Sequence, residues 1–146
     1  MSLESQHKLP LWFWISAWFA VAWNVFGVVQ FVHSVTATQE SFVAMGMSEA
    51  QAQTMLSYPL WMTVGFAVGT FGGLLGSVLL LLRKKIATPV FAASLAGYVV
   101  LYIGDITEGV FEAIGASQVA ILTSVVLIAA ALLWLSRHLE RRRQLV

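Results

Sequence analysis

The sequence has no cysteine and very little charge, and each scarcity excludes a class of protein. Without cysteine the chain can form no disulfide, no thiolate metal site and no thiol nucleophile. Only 10% of its 146 residues are charged, and a formal net charge of +1 gives no overall field that would attract nucleic acid. We therefore expect no nucleic-acid partner, no metal centre and no cofactor.

Apolar residues are present in excess. They make up 59% of the chain, and the mean hydropathy is +0.82. A soluble chain of this size has a high ratio of surface to volume and could not bury so many apolar side chains away from water. Lipid is therefore the expected solvent for most of the side chains.

Four apolar runs are each long enough to form a transmembrane helix, which needs roughly 20 residues to cross a hydrocarbon core of ~30 Å. The predicted spans are about 11–33, 60–82, 87–104 and 118–136, and the third either ends at 104 or continues to 114. Short connections favour antiparallel neighbours. The sequence predicts one all-α integral membrane domain over residues 1–146, an up-down-up-down four-helix transmembrane bundle.

The basic residues indicate the orientation of this bundle. Every lysine and arginine falls on one side of the predicted zigzag, at Lys8, at Arg83–Lys85, at Arg137 and at Arg141–Arg143. Positive residues are retained on the cytoplasmic side of membranes. Both termini are therefore predicted to be cytoplasmic, in a bacterial inner membrane.

Local signals predict where several helices begin. Ser48 and Gln51 have the spacing of a capping box and predict a short extracytoplasmic amphipathic helix that lies on the membrane surface. Thr88 is the expected N-cap of the third span, with Pro89 in its first turn. Ser117 is a candidate cap for the fourth.

The second span carries a glycine zipper. Small residues at intervals of four let helix backbones approach closely in lipid. The stripe serves either packing within the bundle or a seam between copies in a homo-oligomer. Its members are Gly65, Gly69, Gly72, Gly73 and Gly76.

The third span ends in residues that carry the candidate ligand or ion pathway. On a continuous helix, Tyr98, Tyr102, Asp105, Glu108 and Glu112 would share about one third of the circumference. Asp105 would lie ~24 Å along a helix that starts at residue 89, below the outer boundary of the hydrocarbon. An ionisable group at that depth is a functional candidate by default, whereas a span that ended at 104 would leave Asp105 solvated.

The first span offers further pathway candidates at similar depths, namely Asn24, Gln30 and His33. If the first and third spans touch, Asn24 could bond to Asp105, although Asn24 and His33 point to opposite sides of their helix. For Asn24 alone, an interhelical hydrogen bond is the simpler expectation. We also expect Tyr98 or Tyr102 within hydrogen-bonding reach of Asp105.

Three short motifs carry a resemblance. These are Trp23-Asn24-x-x-Gly27, Tyr58-Pro59-x-Trp61, and the stretch from Gly72 to Ser77 that runs into Arg83-Lys84. The chain resembles a group of uncharacterised small bacterial inner-membrane proteins, some of which carry a loose sugar-transporter label. The resemblance implies a four-helix bacterial membrane protein, and it brings no binding motif for sugar.

No catalytic residues are predicted, because the chain has neither a nucleophile elbow nor a two-histidine metal motif nor a phosphate-binding loop. The first functional hypothesis is a non-enzymatic binding or accessory protein, as a homo-oligomer or a subunit of a membrane protein complex. The alternative is a small-solute or ion transporter or channel that uses the acidic stripe.

Overall fold

The computed structural model describes residues 8–146, and 82% of these are helical, with no strand among them. Four long helices and three short ones follow one another in chain order: α1 (Leu11–Thr36), α2 (Gln39–Ala44), α3 (Glu49–Leu56), α4 (Leu60–Leu81), α5 (Ala87–Thr107), α6 (Val110–Ile114) and α7 (Ala116–Arg141).

The four long helices, α1, α4, α5 and α7, are each long and apolar enough to cross a membrane. They begin within about two residues of the predicted spans, because a continuous apolar run is a local signal. Two of them extend further than predicted at the C-terminal end, α1 to Thr36 and α7 to Arg141, while α5 ends at Thr107, between the two predicted ends at 104 and 114.

The hairpin of α4 and α5 forms the centre of the bundle, with α1 packed on α4 and α7 packed on α5. Two apolar clusters fill the ends. Phe13, Leu80, Phe91 and Leu139 belong to the first, which lies at the end that carries the basic residues. The second cluster lies at the opposite end and is built on Met62, Leu101, Val110 and Leu122.

The glycines of α4 lie directly against other helices of the same chain. A Cβ atom at Gly69 would come within 2.7 Å of the ring of Tyr98, and one at Gly76 within 2.8 Å of the ring of Phe91. At Gly65 and Gly72 the neighbours are Gly97 O at 3.0 Å and Ser94 Cβ at 3.3 Å. Gly73 faces the side-chain amide of Asn24. All five positions therefore contribute to close contacts within the bundle.

Two predicted helix caps are wrong. Helix α5 begins at Ala87 with Ile86 as its N-cap, because the five-residue connection after α4 leads directly into the helix, so Thr88 is already inside the first turn. The N-cap of α7 is Gly115 rather than Ser117, since Gly115 takes a φ of +94° at the break between α6 and α7.

The connection between α1 and α4 holds two short helices where one was predicted. The capping box of Ser48 and Gln51 is present at the start of α3. A second capping box, formed by Thr38 and Ser41, begins α2. Ala52 of α3 is fully buried, and Gln51 Nε2 donates to Ala113 O of α6 at 3.2 Å. We call α3 and α6 together the outer cover, where outer means the end of the bundle opposite the basic residues.

Candidate functional site

Asp105 is the most deeply buried acidic group of the described chain, with no exposed surface. It lies in the last turn of α5, which continues past Gly104 and so keeps the side chain inside the bundle. Tyr58, before α4, donates its hydroxyl to Oδ1 of Asp105 at 3.0 Å. Gln118, in the first turn of α7, donates Nε2 to Oδ2 at 2.9 Å. One carboxyl group thus joins three segments that are distant in sequence.

The hydroxyl of Tyr58 is held in its protonated form. Burial raises its pKa, and the neighbouring carboxylate and the hydrogen bond to that carboxylate raise it further. Tyr58 therefore acts as a hydrogen-bond donor at Asp105 throughout the physiological range of pH.

The predicted partners of Asp105 are wrong. Asn24 donates to Ser77 Oγ of α4 at 3.0 Å and to Ala20 O of its own helix at 2.8 Å, because α1 packs on α4 rather than beside the outer end of α5. The hydroxyl of Tyr102 pairs with Thr123 Oγ1 of α7 at 3.1 Å. Tyr98 lies two turns below Asp105 along α5, against Gly69.

The predicted acidic stripe is interrupted. Glu108 caps the end of α5, and Gly109 then takes a left-handed conformation with a φ of 72°, so that Glu112 belongs to the separate helix α6. Glu108 and Glu112 are both exposed. Of the three acids, only Asp105 is enclosed by protein.

The remaining candidates of the first span lie apart from Asp105. Gln30 is exposed. His33 packs edge-to-face against Phe42 of α2, with ring centroids 6.1 Å apart. Neither side chain meets the outer glutamates through any hydrogen bond among residues 8–146.

A second polar group lies near the middle of the bundle. The hydroxyl of Ser77 donates to Gly73 O at 2.7 Å, and the hydroxyl of Ser94 of α5 donates to Gly69 O at 2.6 Å. A cavity of about 10 Å³, about the room that one water molecule needs, lies beside Asn24, Ser94 and Tyr98. This volume admits no solute of the size of a sugar.

The hydrogen bonds around Asp105 do not suit a metal ion. Both carboxyl oxygens accept hydrogen bonds from neutral donors, and a metal ion would need oxygen lone pairs directed at it instead. Within residues 8–146, no three His, Asp or Glu side chains come together as a metal site.

The outer cover packs on the apolar cluster at the same end of the bundle as Asp105. Met55, Tyr58, Phe111 and Ile114 all pack on the cluster around Met62 and Leu101, next to the last turns of α5.

The sequence reasoning missed Tyr58 and Gln118 as site residues. Tyr58 stands beside Pro59 and Trp61, a pattern that is typical of an aromatic anchor at the lipid boundary. Gln118 is the first residue of the predicted fourth span, where no function was predicted for it. Two features of the sequence pointed to these residues. A buried carboxyl group needs hydrogen-bond donors, and both residues lie at the end of a predicted span, on the same predicted side of the bundle as Asp105.

Comparison of the chain with protein-family models, with curated proteins and with solved structures gave no match. The resemblance to small bacterial inner-membrane proteins therefore stays a prediction.

Proposed function

We propose that the chain is a non-enzymatic protein of the bacterial inner membrane that binds a proton at Asp105. The supporting observation is a carboxyl group that is fully buried in an apolar helix and that, among residues 8–146, accepts hydrogen bonds from two neutral donors. Ionisable groups inside membrane-spanning segments are costly and are retained mainly where they serve a function.

The proposal includes an orientation with both ends in the cytoplasm. It rests on the segregation of all eight lysines and arginines to one side of the four helices. Reporter fusions at residues 45 and 146 test it, with a periplasmic signal expected from the first and a cytoplasmic signal from the second. A periplasmic signal at residue 146 would contradict the arrangement.

In this orientation Asp105 lies near the outer surface, below the outer cover. Proton exchange with outer water would accompany opening of the contact between Gln51 and Ala113. The polar groups at Tyr102 and Thr123 continue inward from Asp105. These groups favour proton transport in addition to proton binding. Proton transport is one case of the ion-transporter hypothesis.

Infrared spectroscopy of the purified protein in lipid tests the binding step. The carbonyl stretching band of a buried carboxylic acid should titrate in the natural protein and vanish in Asp105→Asn. Glu108→Gln is the matched control, because it removes an exposed acid from the same end of α5. An identical set of titrating bands in Asp105→Asn and the natural protein would refute proton binding at Asp105.

Proteoliposomes that contain a pH-sensitive dye test the transport step separately. Asp105→Asn should abolish dissipation of an imposed pH gradient, and Glu108→Gln should retain it. If the natural protein dissipates the gradient no faster than empty liposomes, transport is excluded. Proton binding would then belong to a binding or accessory protein.

A further inference from the structure

The end of the bundle opposite Asp105 is built from two segments far apart in sequence. Two residues beyond the ends of α4 and α7 the chain takes the left-handed conformation at an arginine, Arg83 with a φ of 58° and Arg143 with a φ of 55°. Lys84 N then donates to Leu79 O at 2.8 Å, and Gln144 N donates to Leu139 O at 3.0 Å. These bonds are the helix-ending pattern of the Schellman motif, which reverses the chain direction.

The two reversed segments bind each other. Val146 N donates to Arg83 O at 2.6 Å, and Lys85 N donates to Val146 O at 2.8 Å. Arg83 Nε adds a side-chain bond to Gln144 O at 3.1 Å. Between them, Leu145 is buried to 1% exposure in the apolar cluster of this end. The side chain of Leu145 therefore fixes residues 144–146 beside the turn between α4 and α5.

This pairing collects six basic residues in one place. Arg83–Lys85 and Arg141–Arg143 contain no acidic residue, and five of the six side chains are exposed while Arg83 is half-buried. We call these two segments the basic end. Guanidinium groups bind phosphate oxygens through paired hydrogen bonds, and ammonium groups act as point charges toward the same anion.

Apolar side chains border the basic end directly. Leu82 and Ile86, on either side of Arg83–Lys85, are 59% and 58% exposed. Trp134, 65% exposed, lies two turns before Arg141 and stacks on His138. A ligand that fits this surface has a negative headgroup joined to hydrocarbon, which is the chemistry of an anionic phospholipid.

We propose that the basic end binds the phosphate of an anionic phospholipid, with the acyl chains along Leu82, Ile86 and the adjoining helix surfaces. The assignment rests on the opposite charges of the basic end and the lipid phosphate, and on the apolar side chains that border the basic end. The site requires the docked segment 144–146, because that segment brings Arg141–Arg143 beside Lys84 and Lys85.

Native mass spectrometry in a non-ionic detergent tests the proposal, with equal amounts of phosphatidylglycerol and phosphatidylethanolamine that carry the same acyl chains. The protein should retain phosphatidylglycerol in excess, by roughly fivefold for each basic residue in contact. The double variant Lys84→Gln, Lys85→Gln should lose most of this preference. Lys8→Gln removes a basic residue that precedes α1, and this variant should keep the preference for phosphatidylglycerol.

A second pair of variants leaves the charge unchanged. Leu145→Ala releases the docked segment and should lower the preference, whereas Val146→Ala alters a side chain that is 68% exposed and should preserve it. Equal retention of both lipids by the natural protein would overturn the proposal. An equal loss of the preference for phosphatidylglycerol in the Lys84, Lys85 variant and in Lys8→Gln would also overturn it. Complete displacement of phosphatidylglycerol by millimolar inorganic phosphate would overturn the lipid assignment in favour of free phosphate.

Discussion

The substitution Gly69→Ala should destabilise the bundle although it adds one methyl group. The new Cβ would lie 2.7 Å from Cδ1 and Cε1 of Tyr98, whereas carbon atoms in contact are ordinarily about 3.5–4.0 Å apart. The ring must therefore move by ~1 Å. It has little room to do so, because only 4% of the surface of Tyr98 is exposed. Overpacking of this kind costs ~1–3 kcal/mol, and the higher helix propensity of alanine returns at most ~1 kcal/mol.

Gly27→Ala is the matched control, because it makes the same change at a helical glycine with room. Its nearest neighbours would be Thr70 Cγ2 at 3.5 Å and the hydroxyl of Tyr98 at 3.6 Å, which are ordinary contact distances. Only the propensity gain of up to ~1 kcal/mol is then expected. The two variants should differ by ~2 kcal/mol, or roughly thirtyfold in the unfolding equilibrium constant.

Reversible unfolding in mixed micelles of a mild detergent and sodium dodecyl sulfate measures this difference, with far-ultraviolet circular dichroism as the signal. Gly69→Leu should be less stable still, since leucine cannot fit against the ring. Equal stabilities for Gly69→Ala and Gly27→Ala would refute the close contact between α4 and α5. A change in oligomer distribution at unaltered monomer stability would instead assign Gly69 to a seam between copies.

Two further predictions concern single polar contacts. Because the pKa of Tyr58 is raised in the folded protein, its contribution to the free energy of unfolding is complete below about pH 10, the ordinary tyrosine pKa, and declines as pH rises above it. Tyr58→Phe should flatten that alkaline decline in unfolding measurements, and an unchanged slope would contradict the assignment. Asn24→Ala and Ser77→Ala, combined in a double-mutant cycle, should show a coupling of ~0.6 kcal/mol and at most ~1.7 kcal/mol, as for other interhelical bonds in membranes. A coupling indistinguishable from zero would remove the stabilising role of this bond.

The helices themselves could be predicted from the sequence because their signals are local. A run of about 20 apolar residues specifies a long helix regardless of its neighbours, and the four runs correspond to α1, α4, α5 and α7. The capping box of Ser48 and Gln51 joins residues three positions apart, so it too was readable. Its counterpart at Thr38 and Ser41 was missed, because serine replaces the usual glutamate or glutamine.

The partners of the polar side chains could not be predicted in the same way. Depth along a helix places Asp105 and Asn24 near particular levels, but a hydrogen bond also needs the correct neighbouring helix and the correct rotation. Helix α1 packs on α4, so Asn24 meets Ser77, 53 positions away. The last turn of α5 meets the residues before α4 and the first turn of α7, so Asp105 meets Tyr58 and Gln118.

The sequence by itself determined where the four long helices lie, to within about five residues at their ends, and which end of the molecule carries the positive charge. Only the tertiary structure decided that Asp105 is enclosed while Glu108 and Glu112 are exposed, and that residues 144–146 dock on the turn after α4. The physical reason is the range of the interactions. Hydrophobic periodicity and capping act over a few residues, whereas the burial of a carboxyl group or of Leu145 depends on contacts between elements that only the packed bundle brings together.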